Sequence, residues 1–161
     1  MRSQAKPRRN APPPVADKAP TGIAGLDETL RCGLPRGRTT VIFGGPGTGK
    51  TVFGLQSLVN GARRWNEASI FVSFEENSQQ LIANVATFGW DIPALQKEKL
   101  FFFDARLPSS AIKAGNFDLG GLLAALAAKV AELGAQRVVF DGIDVLLTSS
   151  QKALALPPGL S

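Results

Sequence analysis

Apolar residues in this chain fall into short dense blocks and longer stretches with helical spacing, and the two kinds alternate. Thr39-Thr40-Val41-Ile42-Phe43, Ser69-Ile70-Phe71-Val72-Ser73-Phe74, Leu100-Phe101-Phe102-Phe103-Asp104 and Arg137-Val138-Val139-Phe140 are the dense blocks. Their β-branched and aromatic content predicts strands, the second of them buried on both faces. Phe53, Leu55, Leu58 and Val59 mark one face of a helix from about Lys50 to Arg64. Leu81, Ile82, Val85 and Phe88 mark another, opened by Asn77 with Gln80 three places on and ended by Gly89. Leu122, Leu126, Val130 and Leu133 mark a third over Leu119–Leu133, stopped by Gly134. A short turn is expected at Asp91–Gln96 and an irregular loop over Ala105–Asn116. Strands alternating with helices imply an α/β fold, a parallel sheet with helices on both faces. Ligands of such sheets sit beyond the carboxyl ends of the strands, where Gly44–Thr51, Glu75, Glu76 and Asp141 all fall.

The densest chemical signal lies between the first strand and the first helix. Gly44, Gly45, Pro46, Gly47, Thr48, Gly49, Lys50 and Thr51 spell the phosphate-binding pattern G-x-x-x-x-G-K-[ST]. A loop that wraps a polyphosphate turns backbone N–H groups inward at places where a Cβ would collide, so glycine is required there. Lys50 stands at the first helical turn, where its ammonium reaches the β- and γ-phosphates and the helix N-terminus adds partial positive charge. Thr51 offers a hydroxyl to Mg²⁺. Strand, loop and helix in that order identify the segment as a P-loop for a nucleoside triphosphate.

Composition narrows what else the chain does. Its 161 residues, 44% of them hydrophobic, suffice for one core. Five of the 18 basic residues (Arg2, Lys6, Arg8, Arg9, Lys18) lie in the first twenty positions against Asp17 alone, which leaves the remainder near neutral. That Pro-rich stretch, residues 1–20, is expected to be a disordered arm, and no basic groove for nucleic acid is expected on the body. A single cysteine, Cys32, excludes an internal disulfide and points to a reducing cytoplasm. No apolar run is long enough to span a bilayer. Histidine is absent altogether, which excludes imidazole-based triads and metal sites and leaves carboxylates as the general bases.

Asp141, at the end of an apolar strand, has the sequence shape of the acidic residue that accepts from the Mg²⁺ hydration shell in P-loop proteins. Glu75 and Glu76 end the second strand side by side. The pleat should send them to opposite faces, so that only one approaches the γ-phosphate and activates water. Spacing does not say which, and Glu76 is narrowly preferred. Gly33-Leu34-Pro35-Arg36-Gly37-Arg38 is expected to be a structural lead-in turn, and Phe88 with Trp90 to belong to the core.

Residues 18–27, Gly33–Gly37, the phosphate loop, Phe71–Glu76, Phe88-Gly89-Trp90-Asp91 and Val139-Phe140-Asp141 together resemble the KaiC branch of the RecA-like ATPases. The resemblance covers about residues 18–147. It implies a P-loop NTPase fold, ATP and Mg²⁺ as ligands, a hexameric ring with nucleotide between subunits, and slow hydrolysis with Glu75 and Glu76 as the catalytic pair. In the clock member it also implies autophosphorylation on Ser and Thr. The expected domain is 21–147, with a tail at 148–161.

Departure from the family pattern comes after the Asp141 strand. A complete RecA-like domain supplies there a further strand, which lies between the Lys50 and Asp141 strands, and the groups a neighbour offers to the γ-phosphate. Residues 148–161 do not resemble either, so weak ATP binding and negligible turnover are expected of the chain as written. Two other readings stand beside the ATPase: a RecA/RadA-like recombination module, and a non-catalytic fragment that acts by association.

Overall fold

The computed structural model describes residues 17–106 and 118–144. Most of the N-terminal arm, the greater part of the 105–116 loop and the 148–161 tail lie outside them.

Three parallel strands form the sheet. β3 (Ser69–Ser73) is central, paired with β4 (Leu100–Asp104) on one side and β5 (Arg137–Asp141) on the other. Every residue of β3 is buried, as its apolar density predicts for a strand covered on both faces. Ser69, Phe71 and Ser73 face one layer and Ile70 and Val72 the other. The first layer joins Phe71 to Leu55, Leu58 and Val59 of α2 (Lys50–Trp65). Leu81 of α3 (Ser78–Asn84) and Ile92 of α4 (Ile92–Glu98) complete it. The second joins Ile70, Val72 and Phe74 to Leu126 of α5 (Leu119–Leu133). Register sets Ser73 opposite both Asp104 and Asp141, so the strands end level and their carboxylates share one edge.

Sequence patterning placed α2, β3, β4, α5 and β5 within one or two residues. Three element assignments need correction. Thr39–Gly44 forms no strand: Val41, Ile42 and Phe43 are exposed, Phe43 by 90%. A parallel strand exists only through hydrogen bonds to a neighbour, and among the described residues nothing pairs with this segment. The helix read through to Gly89 is instead α3 followed by a 3₁₀ turn at Ala86–Phe88. Asn77 does cap it, accepting from the Gln80 N–H at 2.7 Å, and Gly89 closes the turn with a positive φ. Asp91–Gln96 is not a turn but the start of α4, capped by the Asp91 carboxylate, with Pro93 in its first turn. Seven residues are too few to display a helical period.

At the amino edge of the sheet, residues 17–37 wrap back onto α2 and β5. β1 (Lys18–Ala19) pairs antiparallel with β2 (Leu34–Pro35), on either side of the short α1 (Leu26–Thr29). Asp27 accepts from the Thr21 and Gly22 N–H groups and from the Thr21 hydroxyl, each at 2.8 Å. Glu67, just past α2, is buried between two arginines, Arg36 and Arg137. Arg137 also donates to the Pro20 carbonyl at 2.7 Å and lies over the Trp65 ring. Arg36 of the lead-in turn is therefore half of an ion pair that fastens the segment to the sheet. Phe88 departs from its expected core position: it is 50% exposed, stacked on Trp90, which alone of the two packs against the interior.

Burial by itself would raise the Glu67 carboxyl, but the hydrogen bonds and charges of Arg36 and Arg137 outweigh it and hold the pKa below its ordinary 4.5. An acid with a lowered folded pKa contributes stability that is complete above the ordinary value and lost as pH falls through the folded one. Glu67→Ala strands Arg137 in the interior and should cost about 3–5 kcal/mol at pH 7. Urea unfolding should show this difference from the parent narrowing as pH falls below 4.5. A gap that stays constant with pH would mean that Glu67 acts through packing alone.

Candidate nucleotide-binding site

The loop from Gly44 to Gly49 is exposed and turns through two positive-φ glycines, Gly47 at 75° and Gly49 at 85°. Neither conformation is open to a residue with a Cβ without strain. The Thr48 hydroxyl donates to the Gly45 carbonyl at 2.9 Å and tightens the turn around Pro46. Gly49 is the N-cap of α2 and no side chain caps that terminus, so the N–H groups of the first turn have no side-chain cap to accept from them. This is the composition of an anion cradle at a helix N-terminus. Lys50 folds over it, its Nζ donating to the Gly44 and Gly45 carbonyls at 2.7 and 2.9 Å.

In the first turn of α2, the Thr51 hydroxyl donates to Oδ2 of Asp141 at 2.9 Å. These residues are ninety positions apart, and the contact joins the two halves of the site read from the sequence. It forms because Arg137, Val139 and Asp141 share the face of β5 that meets α2. Where they meet, α2 carries glycine. A Cβ on Gly54 would stand 2.9 Å from Val139 Cγ1, and one on Gly61 would stand 2.8 Å from Arg137 Nε.

Regular strand ends at Ser73, and the bend over Phe74–Glu76 sends the two glutamates to different surroundings. The Glu75 side chain comes up against Gly142, whose absent Cβ would lie 2.7 Å from Glu75 Cγ. Glu76 turns toward α3, where Asn84 donates to its Oε2 at 3.2 Å, while its carbonyl accepts from the Ser73 hydroxyl at 2.7 Å. Asp104, which also ends at this edge, is engaged in capping α3 through the Ser78 N–H and hydroxyl.

Burial and then the charges of Glu76 and Asp144 push the Asp141 carboxyl above its ordinary pKa, against the Thr51 hydrogen bond and the Lys50 charge. Glu75 is raised too, by burial first and then by Asp144, Asp141 and Glu76, again with Lys50 opposing. The edge is thus crowded with negative charge beside one lysine. Among the described residues no group of three or more His, Cys, Asp or Glu is arranged to hold a metal ion. One hydroxyl and one carboxylate side by side nonetheless fit Mg²⁺, a hard ion that keeps several waters and takes its other ligands from phosphate.

Of the residues singled out from the sequence, Gly44–Thr51 and Asp141 come together, with Glu75 against Gly142 and Glu76 near enough for its charge to act on Asp141 while one of its oxygens accepts from Asn84. Gly54, Gly142 and Asn84 were not foreseen, because each matters only through a neighbour distant in sequence. No helix among the described residues is long and apolar enough to cross a membrane.

The family described as "ATPase: KaiC" matches residues 19–155. The circadian clock oscillator protein KaiC of Prochlorococcus marinus is 45% identical over 128 residues, which are 78% of this chain and 25% of that protein. The circadian clock protein KaiC2 of a Synechocystis strain is 41% identical over 133 residues, 81% of this chain and 23% of that protein. KaiC of Thermosynechococcus vestitus is 43% identical over 128 residues, 78% of this chain and 25% of its own length. The chain spans about a quarter of the length of the curated relatives it matches. With its P-loop, its parallel sheet flanked by helices and this coverage, the chain belongs to the KaiC family of ATPases.

Proposed function

We propose that this chain binds ATP with Mg²⁺ at the Gly44–Thr51 loop and contributes to slow ATP hydrolysis. The single observation that carries this reading is the Thr51–Asp141 hydrogen bond at the mouth of the uncapped α2 N-terminus. The loop N–H groups and Lys50 bind the phosphates, with Lys50 exchanging its two carbonyl partners for phosphate oxygens. Thr51 and Asp141 hold Mg²⁺, which when bound neutralises charge developing on the transferred phosphoryl group. Family membership supports nucleotide binding in general. The hexameric ring implied by the resemblance is proposed for the whole protein only.

With no histidine present, a carboxylate is left to accept the proton from attacking water. We assign that role to Glu75, reversing the preference for Glu76 drawn from the sequence. Glu75 lies against Gly142, next to Asp141, and burial with the neighbouring charges raises its pKa, which favours proton acceptance over an ordinary carboxylate. Glu76 has one carboxylate oxygen engaged by Asn84.

Lys50→Ala should weaken ATP affinity about 10- to 100-fold in calorimetry with Mg²⁺ present, since a charge-assisted contact is worth about 1.5–3 kcal/mol. Unchanged affinity would remove the phosphate-loop assignment. In a protein context where hydrolysis is measurable, Glu75→Gln should lower turnover about 10²- to 10⁴-fold with ATP binding nearly intact, and Glu76→Gln much less. Equal losses in the two variants, or none in either, would refute the choice between them. Asp141→Asn removes one of four crowded negative charges, so the nucleotide-free variant should melt at a higher temperature than the parent while losing the Mg²⁺ dependence of ATP binding. A lower melting temperature would show that the Asp141 charge stabilises the empty fold.

A further inference from the structure

Three residues on one face of β5 meet three points along α2: Arg137 at Gly61, Val139 at Gly54 and Asp141 at Thr51. Gly61 and Gly54 are seven residues apart, two turns along one helix face. Glycine is among the least favourable residues in a helix interior, so two of them on the contact face of a sixteen-residue helix call for a reason. Space supplies it, since at both positions a Cβ would stand closer to its neighbour than van der Waals contact permits.

The two sites differ in what would have to move. At Gly61 the neighbour is a long arginine side chain held at its tip by Glu67 and Pro20. At Gly54 it is Val139, whose branched side chain is restricted at χ1 and has no flexible far end to give way. Relief there requires β5 itself to retreat from α2 by about half an ångström or more. β5 pairs with β3 along its whole length and, among the described residues, with no strand on the other side, so its register partner alone resists a small retreat at its Asp141 end, while Arg137 is held at the other end by Glu67 and Pro20. Asp141 lies two residues beyond Val139 on the same face and moves with it, while Thr51 stays on α2, one turn before Gly54.

We propose that Gly54 is a positioning residue for the Mg²⁺ site: its missing side chain sets the α2–β5 spacing at which the Thr51 hydroxyl and the Asp141 carboxylate meet. This rests on the reading above that these two residues hold Mg²⁺ with ATP. Gly54 acts only through Val139 and Asp141 and touches neither ligand. Phosphate binding by the loop and Lys50 is upstream of the spacing and independent of it.

The test measures ATP affinity of the 161-residue chain by calorimetry twice, in EDTA and with excess Mg²⁺, and reads the gain in affinity that Mg²⁺ brings. Gly54→Ala should lose about 10- to 100-fold of that gain, the scale expected of ångström misplacement, with affinity in EDTA changed less than about twofold. Adding Val139→Ala to the Gly54→Ala chain should restore the gain, because it removes the methyl groups that the new Cβ meets. Gly61→Ala, about ten residues along α2 from Thr51, should leave the gain intact even if it lowers the melting temperature. Should Gly54→Ala fail to fold, Val139→Ile thickens the same contact from the sheet side with α2 unchanged and should lose the gain likewise. A full gain in Gly54→Ala or in Val139→Ile, no restoration by Val139→Ala, or an equal loss in Gly61→Ala would overturn the proposal. A parent chain with no Mg²⁺ gain would instead overturn the assignment of Thr51 and Asp141, and the positioning role with it.

Discussion

How closely α2 can approach β5 governs the rest of this structure. The helix brings the phosphate loop at its first turn and Glu67 just beyond its last, and the strand carries Asp141 at one end and Arg137 at the other. Two glycines let the pair close, and polar contacts lock it at each end: Thr51 to Asp141 at the carboxyl edge, Glu67 to Arg137 at the amino edge. Helix and strand then behave as one unit, and a carboxylate ninety residues from the loop lies within hydrogen-bond reach of it.

The two ends of that unit are electrostatic opposites. At the amino edge one buried glutamate is shared by two arginines, and its pKa falls despite burial. At the carboxyl edge Glu75, Glu76, Asp141 and Asp144 act on one another, with Lys50 as the opposing charge, and Glu75 and Asp141 rise. Crowding of like charge at the carboxyl edge works against the fold, and the ion pairs of the amino edge work for it. Fastening residues 17–37 onto Arg137 and Glu67 therefore supports the site without touching it.

Much of this was legible in the sequence. Dense apolar blocks located β3, β4 and β5, and helical spacing located α2 and α5, because each buries a long apolar surface whose period survives in the residues. The phosphate loop was legible because its chemistry is local: glycines, lysine and threonine act on one ligand within eight positions. Thr39–Gly44 shows where patterning stops, since its residues favour a strand but strand formation belongs to a pair of segments. α4 shows the limit of length, and Phe88 shows that helical spacing gives a face without saying what covers it.

By itself, then, the sequence determined the alternation of elements, the family, and the short-range chemistry of Gly44–Thr51. Only the tertiary structure decided which distant groups meet. It paired Glu67 with Arg137 across seventy residues, turned Glu76 toward Asn84 while leaving Glu75 beside Gly142, and gave Gly54 and Gly61 their purpose. The reason is physical: propensity and periodicity are summed over neighbours along the chain, whereas ion pairing, desolvation and close packing depend on distances through space that no single segment encodes.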